Sequence, residues 1–163
     1  MNETLAVITA NFIETAMVVI LLITMAILAY TDYKGRKIPN RVLRASAACW
    51  LMLMAIALFA DRDKAVILMQ KGIAGALIAG GAFFLVYVIV RGKLGAGDVK
   101  MAALMGLYLG SDRIATALIA GVVISAVYSV IMIIAGKMTM KDGLPMAPFL
   151  FLGTIIALLY TIV

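Results

Sequence analysis

The 163-residue sequence contains no histidine, a single cysteine and few charged residues. Without histidine there is no Ser-His-Asp or Cys-His catalysis and no histidine-based zinc site. The single cysteine, Cys49, excludes an internal disulfide and a paired CxxC metal site. Any catalysis by this chain therefore depends on carboxylates.

Charged residues make up 13% of the chain, against roughly 25% in soluble domains, and 66% of it is hydrophobic. Apolar runs of about 18 residues or more cross a bilayer as helices, and no segment alternates as the strands of a membrane barrel do. The sequence therefore predicts an all-α polytopic membrane protein with one domain, residues 1–163. We expect about six transmembrane helices, near Leu5–Tyr30, Leu43–Ala60, Gly72–Val90, Val99–Leu109, Ile114–Ala135 and Pro145–Val163.

The predicted fourth helix is unusually short. Its apolar stretch, Met101–Leu109, does not cross a bilayer alone unless the preceding residues also lie within the membrane. A short or partly submerged helix is tolerated where it lines a cavity inside the protein, so this helix indicates a site. The alternative is an ordinary helix extended through Gly110.

The basic residues lie in the gaps between the apolar runs. Ten of the fourteen fall in alternate gaps, those that contain Lys37, Lys100 and Lys141, and four fall in the other two. By the positive-inside rule the side with ten is cytoplasmic, which places both chain termini outside. The net charge of +6 is thus explained by topology, and no nucleic-acid partner is expected.

Only two of the eight acidic residues call for a functional explanation. Six lie in a tail, a loop or the outer end of a helix, where they are solvated or pair with a neighbour, as Asp112 with Arg113. The other two lie at predicted cytoplasmic helix ends: Asp32 closes the first helix and Asp98 opens the fourth. Each alone is compatible with a solvated helix terminus, but two carboxylates that converge at a membrane form a general acid and base pair.

The second aspartate follows two glycines in Gly95-Ala96-Gly97-Asp98-Val99-Lys100. Glycine permits close backbone approach and positive φ, so we expect Asp98 at a tight turn into a helix. Its carboxylate there favours the positive end of the helix dipole. Lys100 is expected to hold the loop or to meet a lipid phosphate.

Prolines mark the starts of two predicted helices. Ile38-Pro39-Asn40 follows the first aspartate, and we expect Pro39 to fix a turn and Asn40 to cap the second helix, with substrate contact as the alternative. Pro145 and Pro148 are expected to break or kink the start of the last helix, because neither has a backbone N–H.

Three elements, in this order, resemble the type IV prepilin peptidase family of GxGD aspartic proteases. They are Asp32 followed by Lys37-Ile38-Pro39-Asn40, then Gly95-Ala96-Gly97-Asp98-Val99-Lys100, and finally Leu144-Pro145-Met146-Ala147-Pro148-Phe149-Leu150. The resemblance implies a multi-span peptidase of the cell inner membrane that cleaves the leader of prepilin-like precursors at the cytoplasmic face, without metal or cofactor. It assigns the two catalytic carboxylates to Asp32 and Asp98. It assigns supporting motif roles to Pro39, Asn40, Gly95, Gly97, Lys100, Pro145 and Pro148.

The chain departs from the larger members of that family, which carry an extension with CxxC pairs and methylate the new N-terminus. It is similar instead to the short peptidases of Flp-type tight-adherence pili or to archaeal preflagellin peptidases. We therefore expect cleavage without N-methylation. A GxGD protease of the presenilin or signal-peptide-peptidase type, a proton-coupled transporter and a purely structural membrane protein are the alternatives, and the sequence does not predict an oligomeric state.

Overall fold

The computed structural model describes residues 2–90, 94–137, 139 and 143–162, with the backbone alone for residues 2–11, 161 and 162. Every regular element in these ranges is a helix, as predicted. The helices are α1 (Asn2–Gly35), α2 (Asn40–Ala60), α3 (Arg62–Ile89), α4 (Ala96–Ile134) and α5 (Ala147–Ile162). Three of the predicted loop cations, Arg91, Lys93 and Lys141, and also Asp142, lie outside the described residues.

Four of the helices, α1 to α4, are long and apolar enough to cross a membrane, and α5 is a shorter apolar helix. Large apolar side chains also cover the outside of the bundle: Phe59, Leu77 and Ile134 are 95%, 71% and 81% exposed. Apolar surface on this scale is rare on proteins in water and is the normal outer surface of proteins in lipid. The chain is a multi-pass membrane protein.

The described residues form five helices where the sequence predicts about six, because the fourth and fifth predicted helices are joined in α4. A straight helix of 39 residues is about 58 Å long, nearly twice the hydrocarbon thickness of a bilayer. Gly110 interrupts it with φ 70° and ψ 174°, a backbone conformation essentially restricted to glycine. We call residues 96–109 the first arm of α4 and residues 111–134 its second arm.

Contacts on either side of Gly110 indicate that the two arms run in opposite directions. Gly110 lies beside Lys71 of α3, and a cavity there also contains Glu14 of α1. The second arm then packs at Gly121 against Leu150, close to the start of α5. Since α5 starts beside the opposite end of α1, near Asp32, the chain turns back at Gly110.

Close backbone contact joins α3 to the first arm of α4. A Cβ atom on Gly106 would collide with the backbone of Gly75, and one on Gly72 would lie 2.7 Å from the carbonyl oxygen of Leu107. Glycine at positions 72 and 75 therefore allows the two backbones to pack closely. At Gly81 no such contact exists, since its Cβ position meets no atom within 4 Å.

Two aspartates make polar contacts with α3, one at its start and one along its length. Asp61 alone separates α2 from α3, and its carboxylate accepts a hydrogen bond from the backbone N–H of Lys64, which explains why α3 begins at Arg62, well before the predicted Gly72. Asp112 forms an ion pair of 2.6 Å with Lys71. The predicted partner of Asp112 was its sequence neighbour, but the turn at Gly110 brings α3 within its reach.

Candidate active site

Asp32 lies in the last turn of α1 and is buried, with 6% of its surface exposed. Its Oδ2 atom accepts a hydrogen bond of 2.9 Å from the backbone N–H of Ala147, the first residue of α5. The first N–H groups of a helix have no partner within the helix and carry partial positive charge, so they stabilise a carboxylate. The start of α5 therefore supplies a polar partner to a carboxylate in an otherwise apolar bundle.

The two prolines of the last motif flank this contact. Pro145 lies in the segment before α5, and Pro148 is the second residue of the helix. Proline is compatible with the first turn of a helix because its missing N–H would have no intrahelical partner there. The prediction that these prolines mark the start of the last helix agrees with the structure, but the contact between Ala147 and Asp32 was not foreseen.

Asp98 lies in the first turn of α4 and is half-buried. Its Oδ2 atom accepts a hydrogen bond of 3.1 Å from the backbone N–H of Gly95, and the N–H of Asp98 donates back to the carbonyl of Gly95 at 3.0 Å. These reciprocal bonds close the turn that begins the helix. The expected position of Asp98 at a tight turn into a helix is thus observed.

Glycine in this motif allows another part of the chain to pack closely against it. Gly95 has φ −75°, and neither it nor Gly97 is among the positive-φ glycines of the described chain, so that part of the prediction is wrong. A Cβ atom on Gly97 would lie 2.9 Å from Cβ of Ile38. Glycine at position 97 therefore lets the segment between α1 and α2 approach the start of α4.

Asn40 and Lys100 join the same two regions. Asn40 is the first residue of α2, and the N-cap position belongs to Pro39, so the predicted capping role of Asn40 is wrong. Instead the Oδ1 atom of Asn40 accepts a hydrogen bond of 3.4 Å from Nζ of Lys100. The physical reason is that Pro39, with its extended backbone, already occupies the turn, which leaves the amide side chain directed toward α4.

Asp32 and Asp98 line one cavity of about 510 Å³, and the two carboxylates are close enough to interact electrostatically. The walls of the cavity come from the segment between α1 and α2 and from the start of α4. They include the seven residues Arg36, Lys37, Pro39, Asn40, Gly95, Gly97 and Lys100. Five of the motif residues predicted from sequence thus surround the two aspartates, and the remaining two, Pro145 and Pro148, flank the donor to Asp32.

This arrangement is suited to proton transfer. Two carboxylates in one cavity disfavour double ionisation and can share a proton, so that one accepts a proton while the other donates one. Both carboxylates also accept a hydrogen bond from a backbone N–H at the start of a helix, Asp32 from α5 and Asp98 from α4, which holds them in a fixed orientation. The two carboxylates can thus supply an acid and a base from within the chain.

A series of buried hydrogen bonds, which the sequence does not predict, links the helices that carry the two aspartates. Thr24 of α1 donates to Ser46 of α2 at 3.1 Å, and the hydroxyl of Tyr108 in α4 donates to the carbonyl of Ser46 at 2.7 Å. All three side chains are buried. Polar residues spaced through apolar runs are the signal that would have indicated it, because such groups are costly in lipid without partners.

The fold and the site define a multi-pass helical membrane protein with a pair of carboxylates in a cavity at one end of its bundle. Residues 19–130 match the type IV leader peptidase family, a range that holds both aspartates and ends before α5. The chain belongs to the type IV leader peptidase family.

One relative is the Prepilin leader peptidase/N-methyltransferase of Bacillus subtilis (strain 168). It is 33% identical to this chain over 145 residues, which are 87% of this chain and 54% of the relative. The chain thus spans about half the length of the curated relative that it matches. No solved structure matches it.

Proposed function

We propose that this protein is a membrane aspartic endopeptidase that removes the leader peptide from type IV prepilin-like precursors, with Asp32 and Asp98 as its two catalytic carboxylates. The observation that carries the proposal is the shared cavity, in which two carboxylates from distant parts of the sequence interact. Membership of the leader peptidase family supports the substrate class.

The reaction needs one protonated and one ionised carboxylate. The ionised group takes a proton from a water molecule, which attacks the scissile carbonyl, while the protonated group donates to the carbonyl oxygen. The hydrogen bond from Ala147 occupies Oδ2 of Asp32 and leaves Oδ1 available for the water or the substrate. The bond from Gly95 does the same for Asp98.

The proposal includes an orientation in the membrane. The two arms of α4 each count as one crossing, which gives six crossings by a single domain, with both termini outside and the cavity on the cytoplasmic side of the inner membrane. The cavity walls support this orientation, because Arg36, Lys37 and Lys100 belong to the side that holds ten of the fourteen basic residues. A basic leader that stays cytoplasmic is cut at the same face.

We further propose that the chain cleaves without methylating the new N-terminus. In the larger members of the family, methylation accompanies an extension with CxxC pairs, whereas the sequence here contains one cysteine. Methyl transfer also needs a site for the methyl donor, and each motif residue considered above is explained by the carboxylate pair or by its supports.

Cleavage of a precursor in membranes tests the proposed function. The substrate is a prepilin-type precursor with a basic leader that ends in glycine and is followed by an apolar segment. Asp32→Asn and Asp98→Asn should each abolish cleavage, because each change removes an acid or base without altering size. Asp63→Asn is the matched control, since Asp63 is exposed at the start of α3, and it should cut as wild type does. Asp142→Asn should also remain active.

Robust turnover by either cavity variant would overturn the assignment of the carboxylate pair. Failure of the wild-type protein to cut any precursor of this kind would overturn the substrate class. Membrane insertion of each variant is measured in the same preparation, so that loss of protein is not mistaken for loss of activity.

A further inference from the structure

A groove between α2 and the first arm of α4 lies next to the cavity that holds the two aspartates. Its volume is about 650 Å³, and the two spaces share the wall residues Asn40 and Lys100. Because the same side chains border both, the groove adjoins the proposed site of cleavage. Nothing in the catalytic arrangement described above uses this groove.

The two helices contribute matching stripes to the groove. On α2 the stripe is Asn40, Leu43, Arg44 and Ala47, and on α4 it is Lys100, Ala103, Leu104 and Leu107. Both sets have the spacing i, i+3, i+4, i+7, which places each on one face of its helix. Both stripes begin with polar residues beside the aspartates and become apolar farther along. Seven residues of helix rise about 10.5 Å, so the groove accommodates roughly two turns of a third helix.

Hydrogen bonds join the two helices on either side of the groove. The contact between Lys100 and Asn40 lies at the end next to the aspartates, and the bond from Tyr108 to the carbonyl of Ser46 lies farther along the same helices. Between these contacts the floor is formed by the buried Leu43 and Leu104. The sides at Ala47 and Leu107 are only half-buried, so the groove is reachable from outside the bundle.

The charges in the groove determine which part of a precursor fits it. Arg44 and Lys100 are exposed cations at its polar end, and Arg36 and Lys37 add positive charge in the adjoining cavity. A basic leader is repelled from the cations of the groove, whereas in the cavity the two aspartates oppose the charge of Arg36 and Lys37. Long cationic side chains also extend toward lipid phosphates, which places the apolar part of the groove in the hydrocarbon layer. The half of a precursor that suits the groove is therefore the apolar half.

We propose that the groove between α2 and the first arm of α4 binds, as a helix, the first two turns of the apolar segment that follows the scissile bond of the precursor. This inference rests on the proposed function, which identifies the precursor as the ligand. Docking in the groove holds the segment against two helices, and because the polar end of the groove adjoins the cavity, the N-terminal end of the segment lies toward Asp32 and Asp98. The small side chain of Ala47 leaves the room that this segment occupies.

Filling the groove tests the proposal kinetically. Ala47→Leu should raise KM for the membrane precursor by about tenfold or more, which equals about 1.4 kcal/mol of binding. The same variant should cut a soluble peptide that holds the leader and scissile bond, but no apolar segment, as wild type does. Ala48→Leu is the matched control, because Ala48 is the next residue of α2, is exposed and lies outside the groove. It should leave both substrates unchanged.

Cross-linking provides a measurement that does not depend on cleavage. In a Cys49→Ser, Asp98→Asn background, Ala47→Cys should form a disulfide with a cysteine placed in the first two turns after the scissile bond, since this reaction requires Cα atoms within about 7 Å. Ala48→Cys should not. Equal cross-linking at both positions, or equal precursor KM for both leucine variants, would overturn the proposal.

The same experiments separate the possible failures. If wild type does not cut while the cross-link at position 47 forms, the docking proposal stands and the proposed function fails. If wild type cuts while Ala47→Leu only removes a bound phospholipid, detected by native mass spectrometry, the groove is a lipid site and the docking proposal fails.

Discussion

The backbone N–H of Ala147 donates a hydrogen bond of 2.9 Å to the carboxylate of Asp32, although 115 positions separate the two residues. The contact joins the last helix to a carboxylate near the end of the first. It gives the last motif a direct role in the site: the start of α5 orients Asp32. The two prolines that flank Ala147 fix where that helix begins.

Removing this donor should reduce catalysis without removing either carboxylate. Ala147→Pro deletes the N–H, and proline is compatible with the first residue of a helix. A hydrogen bond to a charged group contributes about 1.5–3 kcal/mol, so we expect kcat to fall roughly 10- to 150-fold. Ala147→Ser keeps the backbone N–H and has a side chain of similar size, so this variant should keep most activity. Equal rates for the two variants would show that the contact does not orient Asp32.

The glycine contact between α3 and α4 should control stability. Gly106→Ala places a methyl group against the backbone of Gly75, which cannot move away as a flexible side chain would. We expect a loss of about 1–3 kcal/mol or more in the free energy of unfolding, measured by thermal unfolding in detergent. Gly81→Ala makes the same chemical change where the Cβ meets no atom within 4 Å, and it should leave the unfolding temperature unchanged or slightly higher.

The proposed orientation can be tested by thiol labelling in a Cys49→Ser background. Cysteine at Asp63 or Asp112 should react with an impermeant reagent in intact cells, because both positions belong to the predicted external side and are exposed. Cysteine at Lys37 should react only after the cytoplasmic side is opened. Labelling of Asp112 on the side of Lys37 would contradict the reversal at Gly110, and the inverse pattern at all three positions would place the carboxylates on the external face.

Mass spectrometry tests the prediction that the new N-terminus remains unmethylated. A precursor processed by this protein alone, with S-adenosylmethionine supplied, should yield a product with a free N-terminal amine. A product heavier by one CH₂ unit would show that the chain itself transfers a methyl group, and processing by a methylating relative serves as the positive control.

The sequence predicts those parts of the site in which the residue type alone restricts where the residue can lie. Asp32 and Asp98 stand out because carboxylates are costly beside a membrane and few are present. Gly97 is explained by a contact with Ile38 that a Cβ atom would obstruct. The same reasoning, applied to composition alone, predicts an all-helical membrane protein, because lipid offers no partners to exposed backbone groups.

The parts that sequence does not predict depend on tertiary contacts. Nothing local to Ala147 shows that its backbone binds Asp32, and nothing local to Asn40 shows that its amide turns from its own helix toward Lys100. The boundaries of the helices are also predicted poorly from sequence, for a related reason. An apolar run marks hydrocarbon depth, whereas a helix continues until a residue such as Asp61 ends it, so α1 and α3 extend beyond the predicted spans.

The reversal at Gly110 also bears on how the protein is synthesised. The first arm of α4 is about 21 Å long, shorter than the roughly 30 Å of hydrocarbon, so as a nascent segment it cannot stay across a bilayer alone. It has to enter the membrane as a hairpin with the second arm, which means that Asp98 reaches its position only once the chain up to about Ile134 has been made. The donor to Asp32 emerges later still, with α5. An incompletely translated chain therefore holds both aspartates but no ordered pair, and the two carboxylates come together as the final step of assembly.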